Sequence, residues 1–161
     1  MTAPLENELP WNPPTTTPPY DTLLSISGFG SMLYQARGLT QTLEVIKAAN
    51  QRERTIGGVL VDISNPIFRK YSSKITCTDA DAPPLDNIWP GMTVTVHCAA
   101  TLCYPTGRSG SPARTEVSGS SWTQGAYTFY RPVLEMLVGD PSEHFDEWKS
   151  DVIWALDLEE V

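Results

Sequence analysis

A chain of 161 residues, 40% of them apolar, is long enough to bury one core and too short for two comfortable ones, so a single domain with extensions is expected. Eleven Lys and Arg against 19 Asp and Glu leave a formal charge of −8, which works against any sequence-independent grip on nucleic acid, because such a grip needs a basic surface to displace counterions. The same negative surface would let a duplex slide past without sticking. No apolar run approaches the roughly 20 residues that cross a bilayer, and the Met1 end has neither a basic segment nor an apolar core of the secretory kind, so a soluble protein without a membrane anchor is expected. Cys77, Cys98 and Cys103 are odd in number and lack CxxC spacing, which suits reduced structural thiols better than a disulfide framework or a zinc site.

Residues 1–20 carry Pro4, Pro10, Pro13, Pro14, Pro18 and Pro19 among threonines, and proline has no amide to donate to a helix or a central strand. An extended arm is expected there, either a tail or a strap on a neighbouring subunit. Trp11 and Tyr20 favour the strap, since an aromatic side chain in a polar arm gains most by finding a pocket. Residues 21–161 then read as a mainly β domain, a β-sandwich or a barrel-like fold with one or two short helices. Strands are expected at Leu23–Ser27, Thr40–Ile46, Val59–Ile63, Tyr71–Thr78 and Tyr127–Val138, the last with Pro132 as an edge or bulge position. Thr42–Arg54 reads equally as strand or helix, and a short helix is expected near Glu143–Lys149.

The strongest alternation spans Met92 to Tyr104. It places Met92, Val94, Val96, Cys98, Ala100, Leu102 and Tyr104 on one face and predicts one long half-buried strand. Cys98 and Cys103 would then face opposite sides of the sheet and could not bridge. Val152, Trp154, Leu156 and Leu158 repeat the pattern at the C-terminal end. Turns are expected at Gly57-Gly58, Asn65-Pro66, Ala82-Pro83-Pro84, Trp89-Pro90-Gly91 and Gly139-Asp140-Pro141. The Gly/Ser-rich stretch at about 106–121 reads as a long hairpin loop, and Arg108 and Arg114 in it suit docking on an acidic neighbouring surface.

Chemistry finds little foothold. A hydrolytic triad would have only His97 or His144 as its base, and neither lies in a recognisable setting. Asp79, Asp81 and Asp86 offer oxygen ligands at Asp-x-Asp spacing, but the loop glycine and closing glutamate of an EF-hand are missing, so a solvated acidic turn is the better reading. No P-loop, GxGxxG, GxSxG or HExxH motif is present. No catalytic residue, cofactor or metal is therefore expected. Aromatic and cationic residues are instead joined in Phe68-Arg69-Lys70-Tyr71 and Phe129-Tyr130-Arg131-Pro132. These types most often carry interface energy, which makes Arg69, Tyr71, Tyr130 and Arg131 candidate contact residues beside Trp11, Tyr20, Arg108 and Arg114.

Those two segments, with the stretches from Tyr34 to Leu43 and from Arg54 to Asp62, Trp89-Pro90-Gly91, and the closing Trp154 to Val161, resemble small virion structural proteins of long-tailed bacteriophages, especially tail or baseplate components. The resemblance spans about Tyr34 to Val161 and implies a non-enzymatic subunit of the virion, assembled in the host cytoplasm. It also implies many copies in rings, with the chain itself and other virion proteins as partners, and DNA passing nearby. The proline-rich arm lies outside it and would equally suit a capsid decoration or head-to-tail component. From another class, a monomeric β module could bind a glycan or receptor through exposed tryptophans among Trp11, Trp89, Trp122, Trp148 and Trp154.

Overall fold

Alternation of apolar residues decides which strands share a core. The computed structural model describes residues 23–29, 38–47, 51–79, 83–107, 110–148 and 151–161. In chain order the strands are β1 (Ser25–Ile26), β2 (Thr40–Val45), β3 (Arg52–Arg54), β4 (Leu60–Asp62), β5 (Tyr71–Asp79), β6 (Thr93–His97), β7 (Leu102–Pro105), β8 (Trp122–Gln124), β9 (Tyr127–Tyr130), β10 (Val133–Asp146) and β11 (Asp151–Glu160). The expected Pro-rich arm, with Trp11 and Tyr20, lies outside the described residues, as does Arg108.

Six strands form one antiparallel sheet in the order β1-β6-β10-β11-β5-β2, curled into a half-barrel. Its inner face takes every second residue: Val152, Trp154, Leu156 and Leu158 from β11, Leu134, Met136 and Val138 from β10, Val94 and Val96 from β6, and Ile75 and Cys77 from β5, all buried. Leu24, Phe29 and Ile88 from the connecting segments close over them, with the Phe29 ring centroid 6.2 Å from that of Trp154. Burying each large apolar side chain contributes roughly 1.5–3 kcal/mol, so this face dominates the stability of the fold. The other face of the sheet is polar and rich in threonine. A three-stranded sheet, β7-β9-β8, and the two-stranded β3-β4 hairpin complete the described architecture.

The long strand expected over Met92–Tyr104 is two strands in two sheets. Its first half keeps the expected face, with Val94, Val96 and Cys98 buried, but Met92 is exposed and Leu102 only half-buried. The break has a specific cause. The side chain of Gln41 in β2 reaches across, and its Oε1 accepts the backbone amides of Ala99 at 2.8 Å and Ala100 at 3.0 Å, where a continuing strand would have paired them with a neighbour. The expected strand Tyr127–Val138 likewise divides at Pro132, which has no amide to bond, and β9 and β10 pair in different sheets.

Gly139-Asp140-Pro141, expected as a turn, is a β-bulge inside β10. Register passes from Val138↔Leu158 to Pro141↔Leu156, so two residues of β10 oppose Asp157 alone. Gly139 is required there, because a Cβ would sit 2.9 Å from the Asp157 carbonyl oxygen. The helix expected near Glu143–Lys149 is also absent from the described part of that segment: Glu143 to Asp146 continue β10 in register with Asp151 to Trp154. Where strand and helix readings competed over Thr42–Arg54, the described residues form β2 and β3, with Lys47 in a 3-10 turn and residues 48–50 outside the description. Helical backbone among the described residues is limited to short 3-10 turns such as Pro66–Phe68 and Leu85–Asn87.

Trp154 is fully buried at the middle of β11. Trp154→Ala should cost about 3–5 kcal/mol, by lost transfer energy and the cavity left behind. The measurement is thermal unfolding followed by circular dichroism; an unchanged melting temperature would remove Trp154 from the core.

Candidate assembly surfaces

Four of the eight candidate contact residues meet inside the chain. Segment 115–117 of the long loop folds back as a short edge, with the Val117 amide donating to the Arg131 carbonyl and the Val133 amide to that of Thr115. This carries Arg114 to the end of β11, where its Nε lies 2.6 Å from Glu160 Oε1 as a tight but poorly aligned ion contact. Its Nη2 donates to Glu160 Oε2 at 3.2 Å and to the Arg69 carbonyl at 2.6 Å. The guanidinium carbon stands 5.5 Å from the centre of the Tyr71 ring, and the Tyr71 amide donates to Glu160 Oε2. Tyr130 is buried beneath, edge-on to Tyr104 at 5.7 Å, and burial raises its hydroxyl pKa against the lowering effect of the Arg114 and Ala113 amides aimed at it. Arg131 donates from Nη1 to the Leu23 carbonyl at 2.8 Å. Arg114 thus latches the loop onto β11 and the start of β5 within the same chain, with its charge spent on Glu160.

A run of exposed apolar residues lies elsewhere, on β3, β4 and the turns beside them. β3 and β4 pair only with each other, through Arg52↔Asp62, Glu53↔Val61 and Arg54↔Leu60, and all six residues are exposed. The connection is the expected turn: the Gly58 amide donates to Thr55 O and the Thr55 amide to Val59 O, with Gly58 at φ +79°, a left-handed position that favours glycine. Ile56, Val59, Leu60, Val61 and Ile63 are all solvent-facing, and Ile67 and Phe68 extend the patch through the following turn. Asp62 is held below the usual carboxylate range, chiefly by hydrogen bonds from Ser64 and further by Arg52 and Arg69.

A second exposed apolar group, Phe145, Trp148 and Ile153, sits at the tip where β10 turns into β11. Between the two lies the outer face of the sheet, with Thr42, Glu44, Lys74, Asp157 and Glu159 around an open depression of about 460 Å³. Lys74 and Asp157 approach to 3.8 Å there, but both are well exposed, and such a pair adds little.

The residues weighed for chemistry are scattered. His97 pairs with Val133, while His144 lies eleven positions further along β10, about 35 Å of strand away, and both are exposed. Asp79 is buried at the end of β5, Asp86 is exposed in a 3-10 turn, and Asp81 lies outside the described residues. Among the described residues no three His, Cys, Asp or Glu groups are placed to hold a metal ion. Cys77 and Cys98 are buried and Cys103 is exposed; desolvation pushes the Cys98 thiol up to about 11, against a hydrogen bond to Gln41. Among the tryptophans weighed for a binding module, Trp89, Trp122 and Trp148 are exposed, Trp122 stacking on Phe129 at 5.3 Å, and Trp154 is in the core.

Sequence reading missed the tip, taking it for a helix. It also missed β8, whose signal is the pair Gly125-Ala126 between Gln124 and Tyr127, a two-residue hairpin connection. Compared with protein-family models, with characterised proteins and with solved structures, the chain finds no match.

Arg114→Ala should destabilise the protein by about 2–4 kcal/mol, because it leaves the largely buried Glu160 carboxylate without its cation. Adding Glu160→Gln should recover part of the loss, and urea unfolding of the two single variants and the double variant measures the coupling; additive losses would show that the latch carries no joint energy. The thiols give a simpler check. Ellman's reagent should titrate one cysteine quickly in the native protein and all three in denaturant, and fast native reaction of a second thiol would contradict the burial of Cys77 and Cys98.

Proposed function

We propose that this chain is a non-enzymatic structural subunit of a bacteriophage virion, a component of the tail, which works by assembling in multiple copies with itself and with other virion proteins. One observation carries the assembly part: the run of exposed apolar side chains on the β3–β4 hairpin and the turn after it, from Ile56 to Phe68, in an excursion that pairs with no other described strand. A two-stranded hairpin is at best marginally stable alone in water. So many exposed apolar side chains in one excursion suit an interaction site, since a chain working alone would gain nothing from keeping them exposed.

The virion part rests on the resemblance described above, and three features support it. The outermost described strands, β1 and β2, offer sheet edges that a neighbouring subunit could extend. The outer face of the sheet carries Glu44, Glu135, Asp157 and Glu159 against Lys74 among threonines, a net negative surface past which DNA would move without adhering. The two histidines considered as a catalytic base are exposed and lie far apart along the sheet.

The mass of the purified protein should exceed the 17.7 kDa of one chain in light scattering coupled to size exclusion, with rings or tubes in negative-stain electron microscopy. Ile56→Ser with Leu60→Ser should keep the melting temperature within about 3 °C, since both residues are exposed, while reducing the mass toward that of a monomer. A wild-type protein that stays monomeric at every concentration tested would sink the proposal.

A further inference from the structure

The two exposed apolar groups stand at opposite ends of the same sheet and differ in charge. β3 and β4 are an excursion between β2 and β5, and leave the sheet where Val45 pairs with Tyr71. The β10–β11 tip lies beyond the other end of β5, where Asp79 pairs with Val152. The nine residues of β5 separate the two by about 30 Å of strand.

The hairpin end, residues 47–70, carries five cations, Lys47, Arg52, Arg54, Arg69 and Lys70, against Glu53 and Asp62. The tip, residues 143–153, carries Glu143, Asp146, Glu147 and Asp151 against Lys149. At the tip, moreover, Asp146 and Asp151 are direct cross-strand partners. The Asp146 carboxylate accepts the Trp148 amide at 3.0 Å within the tip, and the two carboxylates together add to its negative charge.

We infer that the β3–β4 hairpin of one copy docks on the β10–β11 tip of the next copy. Arg52 and Arg54 then face Glu147, Asp151 and Asp146, while Ile56 and Leu60 cover Phe145 and Trp148. This rests on the assembly reading above and names its contact. The two surfaces differ and sit at opposite ends, so the contact is heterologous. Repeated, it closes a ring or extends a stack rather than stopping at a dimer. Apolar contact supplies the attraction, and the charge difference sets the direction and disfavours hairpin-to-hairpin pairing.

A charge exchange tests it with the full-length protein. One variant carries Arg52→Glu and Arg54→Glu, and another carries Glu147→Lys and Asp151→Lys. Each alone places like charges at the contact, and in sedimentation velocity each should show self-association weakened roughly tenfold or more. Mixed in equal amounts, the two should co-assemble to wild-type size, because every contact in an alternating arrangement is again of opposite sign. Rescue on mixing also shows that both variants are folded. If the first variant unfolds, Arg54→Glu alone takes its place, since it leaves the Arg52–Asp62 pair intact. Either variant assembling as well as the wild type, or a mixture of folded variants that stays dissociated while the wild type assembles, overturns this contact and leaves the assembly reading standing. A wild type that remains monomeric overturns both.

Discussion

The apolar face that β11 holds in the middle of the six-stranded sheet is the constraint on which the rest of the molecule depends. Val152, Trp154, Leu156 and Leu158 are buried together, and their neighbours on β10 and β5 are placed by hydrogen-bond register against that one strand. Once it is set, a one-residue slip of either neighbour would turn its buried set to solvent, so the register is specified by the cost of exposing it. The bulge at Gly139 follows from the same demand. It absorbs one residue of β10 so that Leu134, Met136 and Val138 before it and Pro141 after it stay on the inner face.

Polar side chains then decide where the sheet stops. Gln41 accepts the amides of Ala99 and Ala100 and sends the chain from the main sheet into the small one, while Arg114 and Glu160 tie the returning loop to the last strand. Arg114 illustrates how position changes the meaning of a charge. As an isolated cation in an acidic chain it suits a partner's surface, yet the fold supplies that acidic surface from within, and burial of Glu160 makes the internal pair the stronger attraction.

What the core does not use is distributed unevenly. Cations gather around the β3–β4 hairpin and carboxylates around the β10–β11 tip, with a polar, threonine-rich sheet face between them. Charge separated along the sheet gives the molecule a direction. Such polarity suits head-to-tail repetition, the contact proposed above.

Much was legible from local pattern. The alternations at Val94–Val96 and Val152–Leu158, the strands β2, β4 and β5, the Gly57-Gly58 turn and the buried thiol of Cys98 follow from period-two burial and from turn chemistry that acts over a few residues. So did the mainly β class. The places where reading failed are those where distant residues intervene: Gln41 breaking the strand after His97, β11 holding Glu143 to Asp146 in a ladder instead of a helix, Asp157 taking Gly139 into a bulge. The opposition of basic hairpin and acidic tip was equally hidden, because their separation is a property of the sheet and not of sequence distance. Local sequence determined which residues must be buried, since side-chain direction alternates strand by strand. Only the tertiary structure decided which strands meet and which polar and apolar groups are left for a partner, because those depend on pairings between residues far apart in the chain.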